Sequence, residues 1–89
     1  MSRVGQARRR DWSEAAIVSA LRGIGVVVYR VSADGLPDLL TFSRGTWLPI
    51  EVKRPRGRLT PAQVETLQQS PFPVVESVTE ALALFGVQG

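Results

Sequence analysis

The spacing of apolar side chains predicts a helix near the start of the chain. Four apolar residues recur at the helical positions i, i+3, i+4 and i+7: Ile17, Ala20, Leu21 and Ile24. Residues 11–13 offer a start for this helix, and Glu14 falls in its first turn, where the helix dipole favours an acid. Gly23 and Gly25 are expected to end it.

Three short apolar runs then predict β-strands at residues 26–31, 38–42 and 46–53. Each is long enough for a strand and too short for a typical helix. Pro49 interrupts the third run, and proline lacks the N–H that a strand ladder uses. We therefore expect a bulge at Pro49, or regular pairing that begins only at Ile50.

The last third of the chain predicts a helix, a strand and a helix. Thr60, Pro61 and Gln63 match the N-cap, N1 and N3 positions of a capping box. This helix is expected to run to about Gln69, with Val64 and Leu67 facing inward. Residues 74–78 predict a fourth strand, and Thr79 is expected to cap a last helix that ends at Gly86.

The element order is thus α-β-β-β-α-β-α. Short links between the first three strands favour an antiparallel meander, and a helix before the fourth implies a parallel, right-handed crossover. The predicted fold class is α/β, with a mixed four-stranded sheet flanked by helices. We assign residues 1–10 to a basic arm and residues 11–89 to a single domain.

The composition narrows the possible chemistry. A chain of 89 residues with 44% apolar content suits one folded domain with a small core. No apolar run reaches the ~20 residues of a membrane span, and no apolar segment of a secretory signal follows the basic N-terminus. The chain has no cysteine and no histidine, so a metal would take oxygen ligands, which suits Mg²⁺ or Mn²⁺.

Positive charge is concentrated in the first ten residues, which hold four arginines and no acid: Arg3, Arg8, Arg9 and Arg10. The rest of the chain carries seven basic and eight acidic residues, a net of −1 within the overall +3. Phosphate contact and a solvated tail explain such an arm equally well. The only lysine in the chain is Lys53.

Residues 35–53 hold the side chains with the most chemical potential. Asp38 follows a proline and opens the second strand, while Glu51 and Lys53 share one face at the end of the third. A hairpin would bring the two carboxylates close to one another. Taken singly, Asp38 is typical of a turn, and Glu51 with Lys53 of a solvated strand face. Taken together, they can bind a hard cation and handle a water molecule.

The ordered set Gly35-Leu36-Pro37-Asp38-Leu39, Ile50-Glu51-Val52-Lys53 and Gly57-Arg58-Leu59-Thr60-Pro61-Ala62-Gln63 resembles the VRR-NUC branch of the PD-(D/E)xK nuclease superfamily. The resemblance runs from about Glu14 to the C-terminal helix and implies a restriction-endonuclease-like core. It also implies a metal-dependent DNA endonuclease that hydrolyses phosphodiester bonds in branched or junction DNA. Mg²⁺ or Mn²⁺, a homodimer like the Holliday junction resolvases and a replication or repair helicase partner follow as expectations. So does a cytoplasmic protein of bacterial or phage origin that associates with the nucleoid.

The same resemblance assigns roles to particular residues. Asp38 and Glu51 would hold Mg²⁺ with the Val52 carbonyl, and Glu14 would be an auxiliary ligand. Lys53 would orient a water or stabilise charge on phosphorus, and the family keeps a glutamine at the place of Gln63. Six arginines would contact the nucleic acid: Arg8, Arg9, Arg10, Arg54, Arg56 and Arg58.

Two other functions stay open. One is a binding module on a nuclease-like fold without turnover, against which the intact Asp38, Glu51 and Lys53 argue. The other is a metal-dependent phosphoesterase that acts on nucleotides, although the arginine-rich segments favour a polymer.

Overall fold

A computed structural model describes residues 13–87 of the chain, so the predicted arm at residues 1–10 lies outside the described part. The elements follow the predicted order. They are α1 (Glu14–Gly23), β1 (Val27–Arg30), β2 (Leu39–Ser43), β3 (Thr46–Val52), α2 (Pro61–Gln69), β4 (Val74–Val75) and α3 (Val78–Ala83).

The four strands form one open mixed sheet in the order β1-β2-β3-β4. The first three strands are antiparallel neighbours, and β4 joins β3 in parallel after the crossover through α2. The predicted α/β class, the meander and the parallel fourth strand are therefore confirmed. In the register, Leu39 lies opposite Ile50, and Thr41 lies opposite both Val28 and Leu48.

Pro49 does not disturb the sheet, and the bulge expected there is wrong. It pairs with Leu40 inside a ladder that begins at Thr46. The Glu51 N–H points toward β4, where it donates to the Pro73 carbonyl. Because backbone groups two residues apart point the same way, the Pro49 nitrogen faces the same side, before β4 begins. No ladder donor is needed there.

One face of the sheet carries the core. Ile17 and Leu21 of α1, together with Leu39 and Ile50 from the sheet, are fully buried in a single cluster. Helix α3 packs beside α1 through the buried Ala81. The helix caps hold these elements in place: Ser13 Oγ accepts the Ala16 N–H at 3.1 Å at the start of α1.

Helix α2 has the predicted capping box, but its packing differs from the prediction. Val64 is 40% exposed and none of the α2 side chains is buried. The contact of α2 with the body runs through Ala62, opposite Gly35, where an added Cβ would lie 3.2 Å from the Ala62 Cβ. Gly35 also has a φ of 81°, so both space and backbone require glycine there.

The C-terminal elements begin earlier than predicted. Strand β4 spans only two residues, and α3 is capped by Ser77, not by Thr79. Ser77 Oγ accepts the Glu80 N–H at 3.0 Å, while Glu80 Oε1 accepts the Glu76 N–H at 2.6 Å. These reciprocal bonds stop the strand at Val75 and start the helix. Within residues 13–87, no helix is long and apolar enough to cross a membrane.

Candidate active site

Asp38 and Glu51 are joined by reciprocal side-chain to backbone hydrogen bonds. The Asp38 N–H donates to Glu51 Oε1 at 3.2 Å, and the Val52 N–H donates to Asp38 Oδ2 at 3.0 Å. The paired residues of β2 and β3 reach as far as Leu39 opposite Ile50. Each carboxylate therefore accepts an N–H that lies just beyond the ladder, and the chain crossing holds the two acids together.

Gln63 connects this pair to helix α2. Its Nε2 donates to Glu51 Oε2 at 2.7 Å, while its Oε1 accepts the Thr60 N–H at 2.9 Å. Because one end of the amide accepts and the other donates, these two contacts fix its orientation. The capping box thus does more than start a helix: it aims an amide donor at a buried carboxyl.

Glu51 occupies an unfavourable place for a negative charge. Its side chain is buried, with 3% of the residue exposed. Burial raises the pKa of Glu51 to about 7, and the charge of Asp38 raises it in the same direction. The hydrogen bonds from the Asp38 N–H and from Gln63 lower this pKa and offset part of the rise. Near neutral pH the carboxyl is therefore poised between its two forms.

A polar cleft of about 400 Å³ opens in front of the pair. Its lining includes six polar or charged side chains: Glu14, Arg30, Asp34, Asp38, Thr60 and Gln63. Glu51 lies behind Asp38 and Gln63 and is not part of this lining. The predicted residues Glu14, Asp38 and Gln63 are thus brought to one cleft from three different elements.

Arg30 and Asp34 belong to this cleft without having been predicted as site residues. Arg30 Nε lies 3.7 Å from Glu14 Oε2, and the Arg30 side chain is 51% exposed. The signal that could have pointed to Arg30 is its place at the end of β1, opposite Leu39 and so next to Asp38. Glu14, predicted as an auxiliary metal ligand, has an arginine beside it.

Lys53 lies one residue past the end of β3. Its Nζ is 2.9 Å from Glu76 Oε2 and donates to the carbonyls of Arg54 at 3.3 Å and Gly57 at 3.1 Å. These contacts tie the loop after β3 to the turn between β4 and α3. A local structural role therefore accompanies any catalytic role of this ammonium.

The loop from Arg54 to Gly57 is a tight turn that exposes arginine. The Gly57 N–H donates to the Arg54 carbonyl at 2.8 Å, and a Cβ on Gly57 would meet that oxygen at 2.9 Å. Arg56 has a φ of 67°, where a turn with proline before it normally places glycine or asparagine. Arg54, Arg56 and Arg58 are all exposed. The predicted contacts Arg8, Arg9 and Arg10 lie outside the described residues.

The donor atoms at Asp38 and Glu51 suit a small, hard cation. Among residues 13–87, no three acidic side chains converge closely enough to form a metal site by themselves. Mg²⁺ commonly takes one or two carboxylates and completes its octahedron with water and substrate phosphates. The Val52 carbonyl points to the same side as its N–H, toward Asp38, and could supply a further oxygen. A cation there would also remove the cost of ionising both acids together.

Comparison with known proteins adds no relative to this picture. No protein-family model matches the chain, and neither the curated proteins nor the solved structures gave a significant match.

Proposed function

We propose that this protein is a metal-dependent nuclease that hydrolyses phosphodiester bonds in DNA at Asp38 and Glu51. The observation that carries the proposal is the pair itself. Two carboxyl groups are held together by reciprocal bonds behind a polar cleft, and burial with mutual repulsion raises the pKa of Glu51 to about 7. Such an arrangement is costly without a cation and is typical of a functional site.

In this proposal Asp38, Glu51 and the Val52 carbonyl hold Mg²⁺ or Mn²⁺. When bound, the cation supplies polarisation of the phosphate and a lower pKa for a coordinated water. Gln63 keeps the Glu51 carboxylate oriented through its 2.7 Å bond and stabilises the ionised form. Glu14 takes the auxiliary position at the far side of the cleft, where Arg30 balances its charge.

Arginines around the site would hold the backbone of the DNA. Arg30 stands at the cleft itself, and Arg54, Arg56 and Arg58 follow directly after the strand that carries Glu51. Guanidinium groups fork onto phosphate oxygens, and contacts of this kind position a nucleic acid without reading its sequence. The left-handed backbone of Arg56 supports this role, because turn geometry alone favours glycine there.

The contacts of Lys53 allow two roles. Its bonds to Glu76 and to the loop carbonyls anchor the arginine loop. The resemblance to PD-(D/E)xK nucleases instead gives it a water or the developing charge on phosphorus. The same resemblance extends the proposal to a restriction-endonuclease-like core, to branched or junction DNA as substrate and to a helicase partner.

A DNA-binding module without turnover is the second candidate. The specific observation in its favour is that backbone N–H groups and Gln63 already engage both carboxylates, while Lys53 is paired with Glu76. A module of this kind would bind DNA equally well with or without divalent cation.

Incubation of the purified protein with duplex, flap and four-way junction DNA tests the proposal. We expect cleavage with Mg²⁺ or Mn²⁺, none with EDTA, and the highest rate on the junction. DNA binding without cleavage under every metal condition would support the second candidate instead.

A further inference from the structure

The sheet is apolar on both faces. The side chains that face away from α1 on β1, β2 and β3 are Val27, Tyr29, Leu40, Phe42, Trp47 and Pro49. None of these six is charged. An antiparallel sheet with one face in water normally alternates apolar and polar residues, because only one face is buried. A meander that is apolar on both faces is typical of a sheet that is covered twice.

The residues of this second face, which we call the ring face, are clustered and open to solvent. Tyr29 and Trp47 are 55% and 54% exposed, and Val27 is 44% exposed. The Trp47 ring stacks on Tyr29 at 6.3 Å between centroids and packs at 4.8 Å on Phe42. At about 150–250 Å² for an aromatic side chain, the two half-exposed rings alone leave roughly 200 Å² of apolar surface in water.

The ring face continues into an apolar groove beside α2. Leu40 and Pro49 belong to both, and the groove has a volume of about 400 Å³. Leu36, on its wall, is 47% exposed. Six apolar side chains and the groove together approach the ~500 Å² per partner at which an interface becomes specific.

We propose that the ring face is the interface between two copies of this chain. A twofold pair brings each patch onto itself, so any charge on the patch would oppose its own copy across the axis. The ring face has no such charge among its six side chains. A second copy would also give a domain of this size the additional core that small domains lack.

Other occupants fit this surface less well. Nucleic acid binds through cationic surface, and the ring face carries none on its six side chains. Residues 1–10 hold four arginines, and burial of charged groups against aromatic rings without partners is costly. The proposal does not rest on the nuclease function, because it uses none of the residues of the cleft.

Sedimentation equilibrium of the full chain tests the proposal. We expect the wild-type protein to have twice its 9.7 kDa mass, with a dissociation constant that Trp47→Lys weakens at least about thirtyfold, as for an aromatic at the centre of an interface. Tyr29→Lys should act in the same direction. Ile24→Lys is the matched control, because Ile24 is 42% exposed at the end of α1, on the opposite side of the sheet.

Each outcome decides the question. A wild-type protein that stays at 9.7 kDa at every concentration overturns the proposal, and so does a dimer that both lysine variants keep. If Trp47→Lys fails to fold by circular dichroism, Tyr29→Lys gives the answer. Loss of affinity for single-stranded DNA with unchanged mass would show a base-stacking surface and overturn the dimer. Metal-dependent cleavage by a monomer would overturn the dimer alone and leave the nuclease proposal standing.

Discussion

The end of β3 carries an acidic and a basic neighbourhood that are built in different ways. Glu51 is 3% exposed, and three hydrogen bonds link it with Asp38 and Gln63 behind a cleft. Lys53, two residues later, reaches out to Glu76 and to carbonyls of its own loop, with 21% of its side chain exposed. The residues form one sequence motif but occupy two different environments.

This difference shows where electrostatic work can be done. Charges in the buried pair interact strongly, because little water screens them, and a cation or a proton changes their energy greatly. An ion pair near the surface contributes only about 0–1 kcal/mol, because water and mobile counterions weaken it. We therefore assign the metal chemistry to the acidic neighbourhood and phosphate contact with loop anchoring to the basic one.

Replacement of a carboxylate in the acidic neighbourhood should have the largest effect. Asp38→Asn keeps an oxygen that can accept the Val52 N–H but loses the charge. We expect the cleavage rate to fall at least about a thousandfold, because the cation supplies several kcal/mol to the transition state. Asp38→Ala and Glu51→Ala should also abolish cleavage. A variant that cleaves at the wild-type rate under matched metal would show that the site is elsewhere.

The pH dependence of stability should follow Glu51. Its pKa is about 7 in the folded chain against an ordinary 4.5, so the folded state binds more protons between these values. Unfolding free energy should fall as pH rises through this window, by about 3 kcal/mol in all without divalent cation. Thermal melts from acid to mildly alkaline pH measure this.

The matched control for the pH series is Glu51→Gln, which cannot ionise. Its melting temperature should be flatter over the same pH range. Mg²⁺ should also flatten the wild-type curve, because it stabilises the ionised carboxylates. An equally steep decline in Glu51→Gln would place the titration on another group.

In the basic neighbourhood, Lys53→Arg separates anchoring from chemistry. If the ammonium meets water or phosphorus, the bulkier guanidinium should misplace the donor and slow cleavage by about a hundredfold, with unchanged metal binding. Glu76→Gln is the companion variant, because it removes the partner of Lys53 and leaves the lysine itself. Full activity in Lys53→Arg would restrict Lys53 to anchoring the loop.

The smallest effect is expected from the arm. Deletion of residues 1–10 should weaken DNA binding and lower the slope of log affinity against log salt by roughly 0.9 for each lost phosphate contact. Binding measured at several salt concentrations gives this slope. An unchanged slope would mean that the arm makes no phosphate contact.

Local signals in the sequence were sufficient for most of the fold. The α1 stripe, the Thr60–Gln63 capping box and the order of strands all reappear in the structure, because each depends on residues close in sequence. The errors arise where distant parts decide. Pro49 is tolerated only because β4 is short, and Val64 is exposed because α2 contacts the body through Ala62.

The site was predictable in its members more than in its connections. Asp38, Glu51 and Gln63 stand out by residue type and order, and the structure brings them together. The bond from Gln63 to Glu51 and the pair of Lys53 with Glu76 depend on how α2 and α3 lie on the sheet, which no local pattern specifies. Arg30 became visible only when β1 was placed beside Asp38.

The central claim is that Asp38 and Glu51 together hold a divalent cation, and calorimetric titration of Mn²⁺ into the protein without DNA tests it most directly. We predict one binding event per chain that Asp38→Asn and Glu51→Gln each weaken at least about tenfold, while Lys53→Arg leaves it unchanged. Mn²⁺ binding of equal strength in all four proteins, or no binding in any of them, would contradict the account.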